Sequence, residues 1–352
     1  MLNRAVALRD GSDERLALLD GLGRDVGETN DPLAAIALLD RHAEAFPHPG
    51  SGDTLALWEA LATVAATSLT AARSIEPHLD ALAILDEARR AGHDVPSAPA
   101  GSTWGVFAAE GPGARLTAER SGSDLRLTGQ KPWCSLADRL SHALVTAWEG
   151  ETTRRLYAVE LREANHVSVR TATWAARGLS DVPSGPVDFH RAPAQPVGPA
   201  GWYLDRPGFA WGGMGVAAIW YGGAVGVARR LIGGGREPDQ VALMHVGAVD
   251  TSLWAARTVL AAAAAAIDEG RADGTDGAVL ALRVRRIVAS TADDVLARVA
   301  HATGPAPLAL EEEHARRVAD LQLYVRQEHA ERDAAALGRT LLRHDDVTKA
   351  PW

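Results

Sequence analysis

The spacing of apolar positions changes twice along the chain. Over residues 1–93 apolar side chains recur every three or four positions: Leu16, Leu18, Leu19 and Leu22, then Leu33, Ile36, Leu38 and Leu39, then Leu55, Trp58, Leu61, Val64 and Ala65. That period lines one face of a helix. Pro47, Pro49 and Gly50 interrupt the chain before the third of these helices, and residues 51–54 offer caps. Leu79, Leu82, Ile84 and Leu85 predict a further apolar face, with His78 and Asp80 at its start.

From residue 94 the runs shorten. Pro96, Pro99 and Gly101 open a region of short apolar or alternating runs at 104–109, 114–118, 125–128, 143–147, 156–161, 167–170 and 187–189, separated by Gly, Pro, Ser and Asp. Short strands at this spacing predict a compact β-domain, barrel or sandwich. Helical periodicity returns after residue 203. Residues 212–227 are rich in Gly and Ala around Trp220 and Tyr221, a composition suited to a buried bundle helix. Gly233-Gly234-Gly235 is a break, and long helices are predicted over 240–268, 278–301 and 311–342. The expected organisation is α+β and multidomain: an N-terminal α-helical domain (1–98), a β-domain (99–202), a C-terminal four-helix bundle (203–345) and a loose tail (346–352).

Composition narrows the function classes. A chain of 352 residues, 47% hydrophobic, can bury a large core. Its net charge of −9 counts against nucleic acid or an anionic membrane as partner. Cys134 is the single cysteine, so no disulfide can form within the chain. Met1-Leu2-Asn3-Arg4 leads into charged residues and not into the apolar core of a signal peptide, and no apolar run reaches the length of a membrane span. A soluble cytoplasmic protein is expected.

The chemistry concentrates in Thr128-Gly129-Gln130-Lys131-Pro132-Trp133-Cys134-Ser135. An indole offers a flat apolar face to a flat heterocycle. The hydroxyl two residues later can meet a ring nitrogen or carbonyl as donor or acceptor. The same octet also reads as a turn beside a strand with a core tryptophan. Cys134 is either a redox group or a small core residue. His301, His314 and Glu311 to Glu313 lack the spacing of a metal site, the triple Gly lacks the strand and Lys-Ser/Thr of a phosphate loop, and no Gly-x-Ser-x-Gly nucleophile elbow occurs. Trp202, Trp211 and Trp220, three of ten tryptophans, either line an aromatic pocket or belong to the core or a subunit interface.

The octet resembles the Gly-x-Lys-x-Trp-x-Thr/Ser turn of the acyl-CoA dehydrogenase family. Three further stretches are similar to that family. Residues 104–113 resemble its first β-domain strand and Thr-Glu-Pro-x-Ala-Gly loop. Residues 187–194 resemble its Val-x-Phe-x-x-Val-x-Val-Pro segment. Asp320-Leu321-Gln322-Leu323-Tyr324-Val325-Arg326-Gln327-Glu328 resembles its Asp-x-x-x-Tyr-x-x-x-Glu. The resemblance implies FAD as cofactor, with Phe107, Ala109, Trp133, Cys134, Ser135 and Gln240 as cofactor-binding positions. It implies Glu328 as the base that removes the α-proton of an acyl thioester, and a homodimer or homotetramer as the assembly. Glu328 otherwise reads as part of the charged run 326–333, a solvated face on an unbroken helix.

The chain departs from the family in several places. Ala109 stands where a hydroxyl commonly meets the flavin. The Asp-x-x-Arg helix that recognises acyl-CoA reads Phe209-Ala210-Trp211-Gly212-Gly213-Met214-Gly215-Val216-Ala217, without an ionic side chain. The Arg-x-x-Phe-Gly element is shortened to Arg229-Arg230-Leu231-Ile232-Gly233-Gly234, and His329-Ala330 replaces Gly-Thr after the glutamate. Three functions follow as expectations: an FAD-dependent desaturase of an acyl thioester or related carbonyl compound, a flavin-dependent monooxygenase on the same fold, or a flavin-less paralogue serving as a structural or partner subunit.

Overall fold

Helices at either end of the chain flank a central sheet in sequence. The computed structural model describes residues 4–343 except 30, 123, 171–172 and 234–236, so Gly234, Gly235 and the tail lie outside the described residues. Among the described residues, the first helices are α1 (Asp13–Gly27), α2 (Pro32–Arg41), α3 (Thr54–Thr67) and α4 (Leu69–Arg90). Ser12 caps α1 by accepting from the Arg15 amide, and Asp31 caps α2 by accepting from Leu33 and Ala34. α4 runs straight through Pro77. His78 is therefore not a helix-start residue as the sequence suggested. It sits buried inside α4, where Nδ1 accepts the Trp104 amide at 3.1 Å, and burial holds its pKa below the usual imidazole value.

The strands are β1 (Trp104–Phe107), β2 (Leu116–Ser121), β3 (Asp124–Lys131), β4 (His142–Glu149), β5 (Thr153–Glu160), β6 (Val167–Val169), β7 (Val187–Pro193) and β8 (Gln195–Val197). They form one mixed sheet in the order β6-β7-β3-β2-β4-β5-β8, with β1 pairing β4 in parallel. β4 and β5 make the longest antiparallel pair, from His142 opposite Glu160 to Glu149 opposite Thr153. Gly129 adopts φ +119 in β3, and a Cβ there would stand 2.2 Å from the Arg115 carbonyl oxygen. The octet's glycine is thus required by close backbone approach.

After the sheet come α5 (Trp202–Asp205), α6 (Pro207–Ala228), α7 (Gln240–Asp268), α8 (Gly274–Thr303), α9 (Ala306–Leu310), α10 (Glu312–Tyr324) and α11 (Glu331–Arg343). α6 buries Met214, Ala217, Ile219, Trp220, Ala224 and Val227. A Cβ on Gly222 would lie 2.2 Å from the carbonyl oxygen of Ala62, and one on Gly226 2.5 Å from that of Ala66. α6 therefore meets α3 backbone to backbone, which only glycine allows. The predicted helix over 311–342 is broken. It ends at Tyr324, passes through a 3-10 turn at Val325–Gln327, turns extended at Glu328 and restarts at Glu331.

The chain divides into two compact units. One combines residues 4–28, 43–69 and 210–343, and its core includes Trp58, Trp220, Leu260, Val284 and Tyr324. The other combines residues 29–42 and 70–209. There α4 lays Ala81, Ile84, Leu85 and Ala88 on a core with Trp104, Leu144, Leu156 and Val197 of the sheet.

Candidate functional site

In the sheet unit, Lys131 ends β3 with 1% of its surface exposed. A buried ammonium needs charge and hydrogen bonds to compensate lost hydration. Nζ donates to Glu110 Oε1 at 2.6 Å and to Thr146 Oγ1 on β4 at 2.8 Å. Glu110 also accepts from Arg154 at 3.2 Å and from the Trp148 indole at 3.4 Å. Burial holds the Lys131 pKa below the ordinary lysine value. Burial works to raise Glu110, yet the hydrogen bonds and charge of Lys131, with Arg154, hold its carboxyl below the usual range. The pair fixes the loop after β1. Gly111 in that loop comes so close to the octet that a Cβ on it would stand 3.2 Å from Pro132 Cγ and 3.8 Å from Trp133 Nε1.

The loop and the octet thus meet at Trp133. Its backbone is left-handed at φ +59, a conformation costly for a residue with a Cβ. Neighbours impose it: Cys134 N–H donates to the Gly185 carbonyl at 3.1 Å and Leu136 N–H to the Pro183 carbonyl at 2.9 Å. The indole is 55% exposed, its ring set edge-on against Trp174 at 6.4 Å between centroids. Of the two readings of the octet, the core tryptophan is the one this exposure excludes. Ser135 is 7% exposed; Arg73 of α4 donates to its Oγ at 2.9 Å, and Ser184 Oγ lies 2.7 Å away. Cys134 points inward, its thiol donating to the carbonyls of Lys131 and Pro132 and pushed above the usual thiol pKa by burial. Phe107 is buried in β1 and Ala109 is exposed on the loop.

In the helical unit, Glu328 is 6% exposed and not on a solvated face. The turn that buries it is tied from α8. Arg285 donates to the carbonyls of Gly213 and Gln327, both at 2.9 Å, with its guanidinium 4.7 Å from the centre of the Trp220 ring. Arg286 donates to Glu328 Oε2 at 3.1 Å, and the Ala330 amide donates to the same oxygen at 3.0 Å. Ala330 takes φ +47, which turns the chain where the family resemblance expected Gly-Thr. Oε1 of Glu328 is buried and meets no hydrogen-bond partner among the described residues. Arg230 is spent on Glu311, with two contacts of 2.8 Å, and Arg229 donates to the Arg4 and Ala5 carbonyls. Gln240 is exposed as the first residue of α7, beside the capping Asp239.

No protein-family model matches the chain, and no curated protein matches it either. Solved structures do. Butyryl-CoA dehydrogenase from Megasphaera elsdenii is 17% identical and superposes with a TM-score of 0.78 over 95% of this chain and 100% of its own. The fold is that of the acyl-CoA dehydrogenases. Within that fold the chain is also similar to a dibenzothiophene monooxygenase from Paenibacillus sp. A11-2 (16% identity, TM-score 0.75, 94% and 97% covered). It is likewise similar to KijD3, solved in complex with FMN and a dTDP-linked amino keto sugar (18% identity, TM-score 0.73, 94% of each chain).

On the acyl-CoA dehydrogenase fold, the sequence-predicted residues fall into separate groups. The structure brings Trp133 and Ser135 together with the loop carrying Ala109, and places Glu328 and Gln240 in the helical unit. The three tryptophans do not share a setting. Trp202 packs against His93, Trp211 donates to the Ala272 carbonyl, and Trp220 is core. Arg73, Glu110, Ser184 and Arg286 were not singled out from the sequence. Arg73 carried a signal, a lone charge inside the apolar run Thr70-Ala71-Ala72-Arg73-Ser74-Ile75. Among the described residues no cluster of His, Cys, Asp and Glu could hold a metal, and no helix is long and apolar enough to cross a membrane.

Proposed function

We propose that the chain is a flavin-dependent oxidoreductase and that the Trp133–Ser135 turn carries the isoalloxazine ring of FAD. The observation that carries this reading is the strained Trp133, whose indole meets Trp174 edge-on and yet stays 55% exposed. Strain of this kind is kept where function uses it. The residues fit a flavin: a flat indole face, an adjoining loop locked by Lys131 and Glu110, and a hydroxyl at Ser135. A flavin, when bound, supplies reversible uptake of two electrons. The chain's part is to seat the ring on Trp133, to hydrogen-bond it through Ser135 and to keep the loop at Ala109 closed on it.

The substrate is a small molecule. For desaturation of an acyl thioester, Glu328 serves as the base. Its unpartnered Oε1 is the atom that takes the α-proton, while Arg286 and the Ala330 amide hold Oε2. A second reading, a monooxygenase, is favoured by a specific observation. Residues 209–217, which open α6, carry no ionic side chain to meet an acyl-CoA. A cytoplasmic location is supported by the lone buried cysteine. A homodimer or homotetramer is supported by Val241, Met244 and Trp254, exposed along α7.

The test begins with the visible spectrum of purified protein before and after adding FAD. Oxidised-flavin bands that shift on replacing Trp133 keep both enzyme readings. A colourless protein that takes up no flavin leaves the structural paralogue. Glu328→Gln then separates the two enzymes. Loss of acyl α-proton exchange by about 100-fold or more marks the base, and unchanged oxygen-dependent product formation marks the monooxygenase.

A further inference from the structure

The hydroxyl of Ser135 belongs to a chain of hydrogen bonds whose direction can be worked out from its ends. At one end is Arg73, whose guanidinium has donors and no acceptor. It donates to Ser135 Oγ at 2.9 Å. At the other end is the carbonyl of Val182, which can only accept. Ser184 Oγ donates to it at 3.1 Å. Val182 is buried, and among the described residues no other group donates to this carbonyl. Turning the Ser184 proton elsewhere would leave a buried acceptor unmet, which folded chains avoid. Ser184 has one proton, and it goes to Val182. The 2.7 Å contact between Ser184 and Ser135 must then be filled by the Ser135 proton. The polarity runs Arg73 to Ser135 to Ser184 to Val182.

This uses the one proton of Ser135 and one of its two lone pairs. What remains toward a ligand is a single acceptor site. Oxidised isoalloxazine has at N5 a bare lone pair that seeks a donor, whereas the reduced ring carries N5–H and seeks an acceptor. We infer that Ser135 offers its ligand an acceptor and not a donor, and that the ring atom it meets is N5, so that the site selects reduced over oxidised flavin. The inference rests on the reading that this turn seats a flavin. Arg73 works in the same direction, because a cation beside Ser135 favours the electron-rich ring; Glu76, 3.8 Å from Arg73, offsets part of that charge.

The experiment is anaerobic titration calorimetry of the full chain with FMN and with FAD, each oxidised or photoreduced with EDTA. Reduced flavin should bind at least about tenfold more tightly than oxidised, a difference of about 1.4 kcal/mol. Ser184→Ala frees the Ser135 proton to point at the ligand. It should raise affinity for oxidised flavin and shrink the ratio to about threefold or less. Equal or tighter binding of oxidised flavin by the unaltered chain overturns the inference without any variant. So does a ratio that Ser184→Ala leaves unchanged while circular dichroism shows the fold intact. Binding of neither redox state overturns the flavin reading on which the inference rests.

Discussion

Lys131 and Glu110 meet at 2.6 Å with unequal exposure, the ammonium sealed in the sheet unit and the carboxylate side chain 32% open to water. Removing one partner of such a pair costs more than removing the other. Glu110→Ala strands a buried charge on Thr146 alone and should cost about 3 kcal/mol, the low end for a broken buried pair because Glu110 is partly hydrated. Lys131→Met removes the charge together with its desolvation cost and should destabilise less. Urea midpoints of the two variants give the order.

The same pair sets an acid limit. The Glu110 carboxyl is held below its ordinary value in the folded chain, so the unfolded chain binds its proton more readily. Its contribution is complete above roughly pH 5 and fades as pH falls through the lowered folded value. The stability gap between the natural chain and Glu110→Gln should therefore close in acid. A gap independent of pH would mean that the carboxylate is not held by Lys131.

Trp133→Gly separates display from packing. Glycine relieves a left-handed backbone worth about 1–2 kcal/mol and gives back about 0.5–1 kcal/mol through the freer unfolded chain. Stability should stay within about 1 kcal/mol while flavin affinity drops at least about tenfold. Loss of more than about 3 kcal/mol would instead be the signature of a core aromatic.

Cys134 should resist modification. Its thiol is buried, its pKa is pushed up, and it is hydrogen-bonded to two carbonyls. A thiol-reactive disulfide reagent should label it only in denaturant, on the timescale of unfolding.

Gly222→Ala drives a methyl to 2.2 Å from the Ala62 carbonyl oxygen, a backbone atom that cannot swing aside. The expected loss is about 3 kcal/mol or more, the upper range for overpacking. Gly247→Ala, with nothing within 4 Å of the new Cβ on exposed α7, is the control and should gain about 0.5–1 kcal/mol. Equal effects at the two positions would refute the backbone contact between α6 and α3.

The order of helices, sheet and helices was legible in apolar periodicity, because each element shows its neighbours one repeating face. The octet was legible because its glycine and lysine are both obligatory, one for close approach and one for a buried ion pair. What escaped was long-range or compensatory. His78 and Asp80 read as a helix start although α4 continues through them, and Glu328 looked like surface because Arg285 and Arg286, more than forty positions earlier, bury its turn. The shared hydroxyls of Ser135 and Ser184 are 49 positions apart and had no local signature.

The parallel pairing of β1 with β4 carries a consequence for how the chain folds. Trp104 lies opposite His142, so docking β1 closes a loop that holds the β2–β3 hairpin and the Trp133 turn. The β4–β5 hairpin, by contrast, closes over a few residues. Entropy of loop closure makes the local hairpin early and the β1 contact late. Glu110 reaches Lys131 only when β1 is in place, so the buried lysine spends the folding reaction without its partner. A strand that joins after the β4–β5 hairpin is then also the one that neutralises the buried lysine, and a chain stalled before that step holds an unpaired charge that works against premature closure of the core.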